Sequence, residues 1–183
     1  KLLDVDVNLP LLFVASVIPD IDLLIPGLQH RGPTHSLILL SLLFLPAFII
    51  YGKKSIPYFI AVIQHAFIGD YITGGGTQLL WPLSLNWYGI QIQLTSFTNV
   101  LIEWIFFLTS LTIMFKTKDG WVLFQHHQSN LLLSIPVFTV LLPTILSPPL
   151  YVPLAPVIPH LTYLTLFTIS ILKDLKTPKF SIE

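Results

Sequence analysis

Apolar residues in this chain come in long runs, and the polar ones are confined to the gaps between them. Leu9 to Ile18 is apolar but stops at Pro19, which is about ten residues where a spanning helix needs about twenty. It predicts a half-span, or the end of a longer helix. Leu37 to Tyr51 becomes long enough to span if its helix begins near Pro33 and Thr34, because proline suits a first turn and threonine caps one. The polar turn from Gly52 to Ser55 leads into a further run, Ile56 to Thr73, which ends in Gly74, Gly75 and Gly76. Consecutive glycines stop a helix and let backbone approach a ligand. Residues 77–96 carry Trp81, Trp87 and Tyr88 without any charge, as an interfacial aromatic loop does. Phe97 to Phe115 is apolar apart from Glu103, and Leu131 to Leu146 and Val157 to Leu172 follow, each interrupted or flanked by proline. The pattern predicts an all-α, polytopic membrane helical bundle with about five spanning helices, the N-terminal half-span and the aromatic loop. Residues 1–183 read as a single integral membrane domain, with a metal-site half over 9–103 and C-terminal helices over 104–183. No internal repeat or low-complexity linker interrupts it.

Composition sharpens this. Hydrophobic residues make up 54% of the chain and charged ones only 10%, with a mean hydropathy of +0.80, whereas a soluble domain is roughly one quarter charged. The implied partner is the lipid bilayer. Nine Lys+Arg balance nine Asp+Glu, and no basic cluster of the kind that grips phosphate backbones is present, so nucleic acid is not an expected partner. Without cysteine, a metal site must be built from imidazole and carboxylate. The chain opens on Lys1 rather than Met, which points to a missing N-terminal portion, by processing or by a chosen boundary.

Short cytoplasmic loops are enriched in Lys and Arg. Lys53 and Lys54, then Lys116 and Lys118, then Lys173, Lys176 and Lys179 recur two spans apart and so fall on one side. The loops from Gly74 to Ser96 and from Ser147 to Pro156 carry neither residue and face the other way. Asp20 to His35 precedes the first full span and Asp70 ends the second. Both polar knots therefore land on the non-cytoplasmic side.

Those knots hold the candidate chemistry. Asp20, Asp22, His30, Arg31 and His35 crowd between Pro19 and Ser36, and acids near hydrocarbon are expensive unless they pair, ligate or relay protons. The blander alternative makes Asp20 and Asp22 helix caps and the histidines interfacial. Asp-x-Asp with two histidines mixes hard oxygens and borderline nitrogens, a set that suits zinc or manganese better than calcium or magnesium. Asp20, Asp22, His30, His35, His65 and Asp70 are the candidate ligands, and more than one ion is conceivable. His65 and Asp70 are five apart, about 140° around an ideal helix, so a single wide turn or a helix end at Gly69 is needed to bring them together. Arg31 is either a headgroup anchor or a two-point holder of phosphate or carboxylate. Glu103, inside a span, is a ligand, a supporting partner or a general base, against a purely structural hydrogen-bonding role. Thr34 reads as a cap, His126 and His127 as interfacial on the basic side, and His160 as a residue within reach of the cluster. Ser36 lacks the strand-to-helix elbow that a nucleophilic serine would need.

PDID, HRGPTHS and the segment from His65 and Asp70 into ITGGGTQLLWP together resemble the membrane-bound metal-dependent hydrolase family, whose members show LPDID, HRGxTHS and a His/Asp helix followed by LTxxGxxLLWP. The resemblance covers about the first half of the chain. Through that family's distant similarity to the zinc-dependent phospholipase C and single-strand nuclease group, it implies phosphoester hydrolysis with more than one metal. It implies ligation by Asp20, Asp22, His35, His65 and Asp70, with His30 and Arg31 beside the site. The chain departs from the family in spacing its helix His and Asp five apart rather than four, and in lacking a further N-terminal histidine. The expected function is a membrane-embedded metal-dependent hydrolase acting on a phosphoester or other ester of a lipid or lipid-linked substrate, with Arg31 and Glu103 as catalytic residues. The alternatives are an ion- or proton-coupled transport protein and a non-enzymatic membrane protein stapled by its metal.

Overall fold

The computed structural model describes residues 6–73, 75–146 and 154–176. Among these the chain is helical, with one isolated antiparallel bridge between Thr77 and Tyr88 and no strand. Helix α1 (Leu9–Val17) starts where the Asn8 side chain accepts from the Leu11 amide and Pro10 fills the first turn. Its nine residues rise about 14 Å at 1.5 Å per residue, so it is the half-span that the pattern predicts. Beyond it a 3₁₀ segment, Ile18–Leu24, carries Asp20 and Asp22.

Helix α2 (Leu37–Tyr51) begins later than the sequence suggests. Ser36 is its cap, accepting from the Leu39 amide at 3.2 Å, while Pro33–His35 forms a separate 3₁₀ turn. Thr34 donates instead to Asp22 at 2.8 Å. His35 therefore sits ahead of the helix, buried, rather than in its first turn. Helix α3 (Ile56–Gln64) follows and runs into a π-helical turn, His65–Asp70.

Among the described residues, three stretches are long and apolar enough to cross a membrane: Leu37–Asp70, Phe97–Thr117 and Gln128–Leu146. The first is not straight. Phe44 and Phe59 would lie about 22 Å apart along an unbroken helix, yet their ring centroids are 4.8 Å apart, so α2 and α3 fold back on each other. The bend is at Gly52, whose φ of 54° and ψ of −133° suit a residue without Cβ. The fold-back sends Lys53 and Lys54 to one end of the hairpin and His35 and Asp70 to the other.

Helix α4 (Phe97–Thr117) is capped by Ser96. A broken helix follows, α5 (Ser134–Pro136), a π-turn Val137–Leu141 and α6 (Leu142–Leu146), and α7 (Leu154–Lys176) closes the described chain. All five apolar runs expected from the sequence are thus helical. Gly74, most of the expected loop from Ser147 to Pro156, and Lys179 lie outside the described residues. The outer surface is aliphatic and aromatic, with Ile49 79% and Phe97 80% exposed, as lipid-facing helices are. This is a helical membrane protein.

Two interior clusters organise the bundle. Ala15, Leu40, Ala61, Val62, Ala66 and Leu79 form one, in which α1 packs on α3 through small residues that permit close approach. Leu123, Leu133, Val137, Leu141 and Phe167 form the other, joining α7 to the segments between α4 and α5. The aromatic loop is more than interfacial. Thr77, Gln78 and Leu79 are buried, with the Gln78 amide bonded to the Arg31 carbonyl at 3.0 Å and the Leu37 amide to the Leu79 carbonyl at 3.0 Å.

Candidate metal centre

In the 3₁₀ segment after α1 the acids turn inward, Asp20 and Asp22 both buried, while Ile18, Ile21, Leu23, Leu24 and Ile25 are exposed. The next turn is fixed by backbone geometry. Arg31 has a φ of 63°, unusual for a side-chain-bearing residue, and is held there by its amide donating to Asp22 Oδ2 at 3.0 Å and its carbonyl accepting from Gln78. A Cβ on Gly32 would sit 2.7 Å from the Gln29 carbonyl oxygen, so this tight turn requires glycine. It delivers His35 to the interior.

From α3, the wide turn that the five-residue spacing demands is present as the π-helical turn. It places His65 and Asp70 side by side, with His65 Nε2 3.4 Å from Asp70 Oδ2. The fold-back of the hairpin then brings both to His35. His35 Nε2 is 3.0 Å from Asp70 Oδ2 and 3.5 Å from Asp20 Oδ1, and His65 Nε2 is 3.3 Å from the same Asp20 oxygen. Two imidazole nitrogens and two carboxylate oxygens from three separate segments share one small volume.

Ligand chemistry explains these separations better than hydrogen bonding does. His35 Nε2, His65 Nε2 and Asp70 Oδ2 are buried and make no hydrogen bond of good geometry, although they lie within ion-pair distance of one another. Tetrahedral zinc, with bonds of about 2.0–2.1 Å, sets its ligand atoms about 3.3 Å apart. The four imidazole–carboxylate separations, from 3.0 to 3.5 Å, bracket that value. Asp20, His35 and His65 form one group of side chains that can hold a metal ion, and Asp22, His30 and His35 form a second.

The two groups differ in how they are satisfied. Asp22 Oδ1 lies 3.0 Å from His30 Nδ1, and Oδ2 accepts from the Arg31 amide and the Thr34 hydroxyl and lies 3.3 Å from His35 Nδ1. Asp22 therefore grips the far side of the His35 ring and turns Nε2 toward Asp20 and Asp70, as carboxylates behind metal-bound histidines do. His30, its side chain 42% exposed, stands at the rim. Burial pushes the Asp22 carboxyl up, but hydrogen bonds from His30, His35 and Thr34 outweigh it and hold the group well below the usual carboxylate range. Burial likewise raises Asp20, and His35 and His65 bring it down to about 2. Burial disfavours charge on His35, yet Asp20, Asp22 and Asp70 push it up to about 10.

Arg31 Nη2 is 3.0 Å from Asp70 Oδ1, which places the guanidinium at the edge of the cluster. Glu103 is not among the converging atoms. Its Oε1 accepts from Asn99 Nδ2 at 2.7 Å, and Arg31 and His160 are close enough to act on it. His160, expected within reach of the cluster, thus lies near Glu103. His126 and His127, read as interfacial, converge on Asp174: His126 Nδ1 lies 2.6 Å from Asp174 Oδ1, and the His127 amide donates to the same oxygen at 3.1 Å. The sequence pattern gave no sign of this pairing, since 47 residues separate His127 from its acceptor.

A family model described as YdjM inner membrane protein matches residues 2–148. This overturns the resemblance to the membrane-bound metal-dependent hydrolase family. That likeness rested on short windows of turn and ligand residues, whereas the YdjM match runs across both knots and most of the helices, and no hydrolase or nuclease family is found. No curated protein and no solved structure matches the chain. By the extent of the family match, the chain belongs to the YdjM inner membrane protein family.

Proposed function

We propose that this membrane protein is a metal-dependent hydrolase that cleaves a phosphoester or other ester of a lipid or lipid-linked substrate at the non-cytoplasmic face. The observation that carries the reading is the convergence of Asp20, His35, His65 and Asp70 with three of the four facing atoms buried and unbonded. The donor set favours zinc, with manganese as the competing ion. An ion held by Asp20, His35, His65 and Asp70 would supply Lewis-acid polarisation of a phosphoryl or carbonyl oxygen and would acidify a water.

The chain's own residues do the rest. Asp22 fixes the tautomer and direction of the His35 ring. Arg31, held against Asp70, offers a planar cation to an anionic group. Glu103, steadied by Asn99, takes up a proton. A lipid substrate is supported by what the ligand-bearing segments show to their surroundings, since Ile21 lies between Asp20 and Asp22, Phe67 and Ile68 lie between His65 and Asp70, and all three are exposed. A rim of this kind suits an acyl chain better than water.

A second reading is favoured by the number of ligands. Asp20, His35 and His65, with Asp70 beside the two imidazoles, approach the four ligands of a structural zinc site, in which an ion would only staple the segment after α1 to the α2–α3 hairpin. Elemental analysis of the detergent-purified chain, paired with turnover of phosphoester and carboxylic-ester lipids, separates the two. Stoichiometric zinc with turnover that Glu103→Gln abolishes while metal content stays unchanged supports the hydrolase. Stoichiometric metal without turnover of any ester leaves the staple, and absence of metal after loading refutes both.

A further inference from the structure

At the other end of α4 lies a second feature that the candidate metal centre does not use. The chain leaves α4 through Lys118, whose φ of 62° turns it sharply, and enters a 3₁₀ segment, Asp119–Phe124, that packs back on α4 and α7. Between these elements is an apolar cavity of about 210 Å³, lined by Leu111, Met114, Phe115, Trp121, Phe124 and Leu166 and by Gly120. Its floor is rigid. Leu123 is buried in the second interior cluster, Lys173 donates to the Phe124 carbonyl at 2.5 Å, and Asp174 fixes the His127 amide just beyond.

Lys116 and Lys118 lie in the chain between the lining residues Phe115 and Gly120, both exposed, with Asp119 the acid beside them. Trp121 is 61% exposed, a posture suited to the headgroup level of a bilayer. We infer that this cavity is a binding site for an anionic membrane lipid, an acyl chain entering between Met114, Trp121 and Leu166 and the headgroup phosphate meeting Lys116 and Lys118. The two lysines select the occupant, because basic residues beside a membrane span attract anionic headgroups while an apolar cavity alone would take any chain.

Gly120 offers a direct probe. A Cβ there would meet Met114 at 3.6–3.7 Å, an ordinary contact, so a larger side chain can enter the cavity without moving backbone. The experiment is native mass spectrometry of the full chain in detergent, titrated with phosphatidylglycerol or phosphatidylcholine. The parent should retain phosphatidylglycerol over phosphatidylcholine, and Lys116→Gln with Lys118→Asn should weaken phosphatidylglycerol binding by about fivefold per lysine. Asparagine suits the positive φ at 118. Gly120→Leu should lose both lipids while its metal content matches the parent's. Equal retention of the two lipids by the parent would overturn the site, as would undiminished phosphatidylglycerol binding in either variant. If Gly120→Leu does not fold, the lysine pair decides alone.

Discussion

At the basic end of the bundle Asp174 is buried beside two histidines, and at the opposite end Asp20 is buried beside two others. Asp174 is met by His126 Nδ1 at 2.6 Å and by the His127 amide, which donates to it at 3.1 Å. Around Asp20 the imidazole nitrogens stand farther off, at 3.3 and 3.5 Å, and His35 Nε2, His65 Nε2 and Asp70 Oδ2 make no hydrogen bond of good geometry. Proximity of histidine and carboxylate is common to both places. Only the second leaves buried polar atoms aimed at a shared point, which a fold tolerates when something else completes them.

The contrast breaks most sharply if the converging oxygens are removed. Asp20→Ala with Asp70→Ala should eliminate metal from the purified protein, read by elemental analysis against a parent loaded in parallel. Retention of stoichiometric metal would make the two ends equivalent. Asp22→Asn, which keeps the shape behind His35 but weakens its hold on Nδ1, should lower metal affinity by about 10–100-fold in a competition titration with a chelator. No change would mean that Asp22 does not orient the ring.

Acidity sharpens the same difference. In the metal-free protein His35 keeps its proton up to about pH 10 because three carboxylates outweigh its burial. Metal must expel that proton, so affinity should rise with pH, about tenfold per unit for each proton displaced between about pH 6 and 8. Isothermal titration at several pH values in buffers of different ionisation enthalpy would count the proton, and a flat profile would contradict it. The smallest expected effect belongs to the basic end. Asp174→Ala should cost about 1–3 kcal/mol through the lost acceptor, seen as a lower unfolding midpoint in detergent, with metal content unaltered.

Much of the candidate site was legible because the chain is so poor in charge. In a sequence with few acids, Asp20, Asp22 and Asp70 stand out, and the five-residue interval from His65 to Asp70 called for the wide turn that is found. What escaped was direction. Asp-x-Asp spacing does not say that one acid faces His35 Nε2 and the other Nδ1, because that depends on the tight 3₁₀ path of the segment. The start of α2 also escaped, since Thr34 found a partner in Asp22 and left the cap to Ser36. The burial of Thr77 to Leu79 and the Asp174 pairing depend on contacts between distant parts of the chain, to which local pattern is blind. Short motifs also pointed to a family that the match over residues 2–148 does not support.

The bend at Gly52 bears on how the protein is made. His35 and Asp70 stand at the two open ends of one hairpin, so a nascent chain that has delivered only the first limb into the bilayer holds half of a binding site. Metal capture then becomes a late step in biogenesis, available only after the second limb has entered and folded back. A residue inserted at the bend would alter how the limbs register, and the damage would surface at the far end of the hairpin as a failure to retain metal.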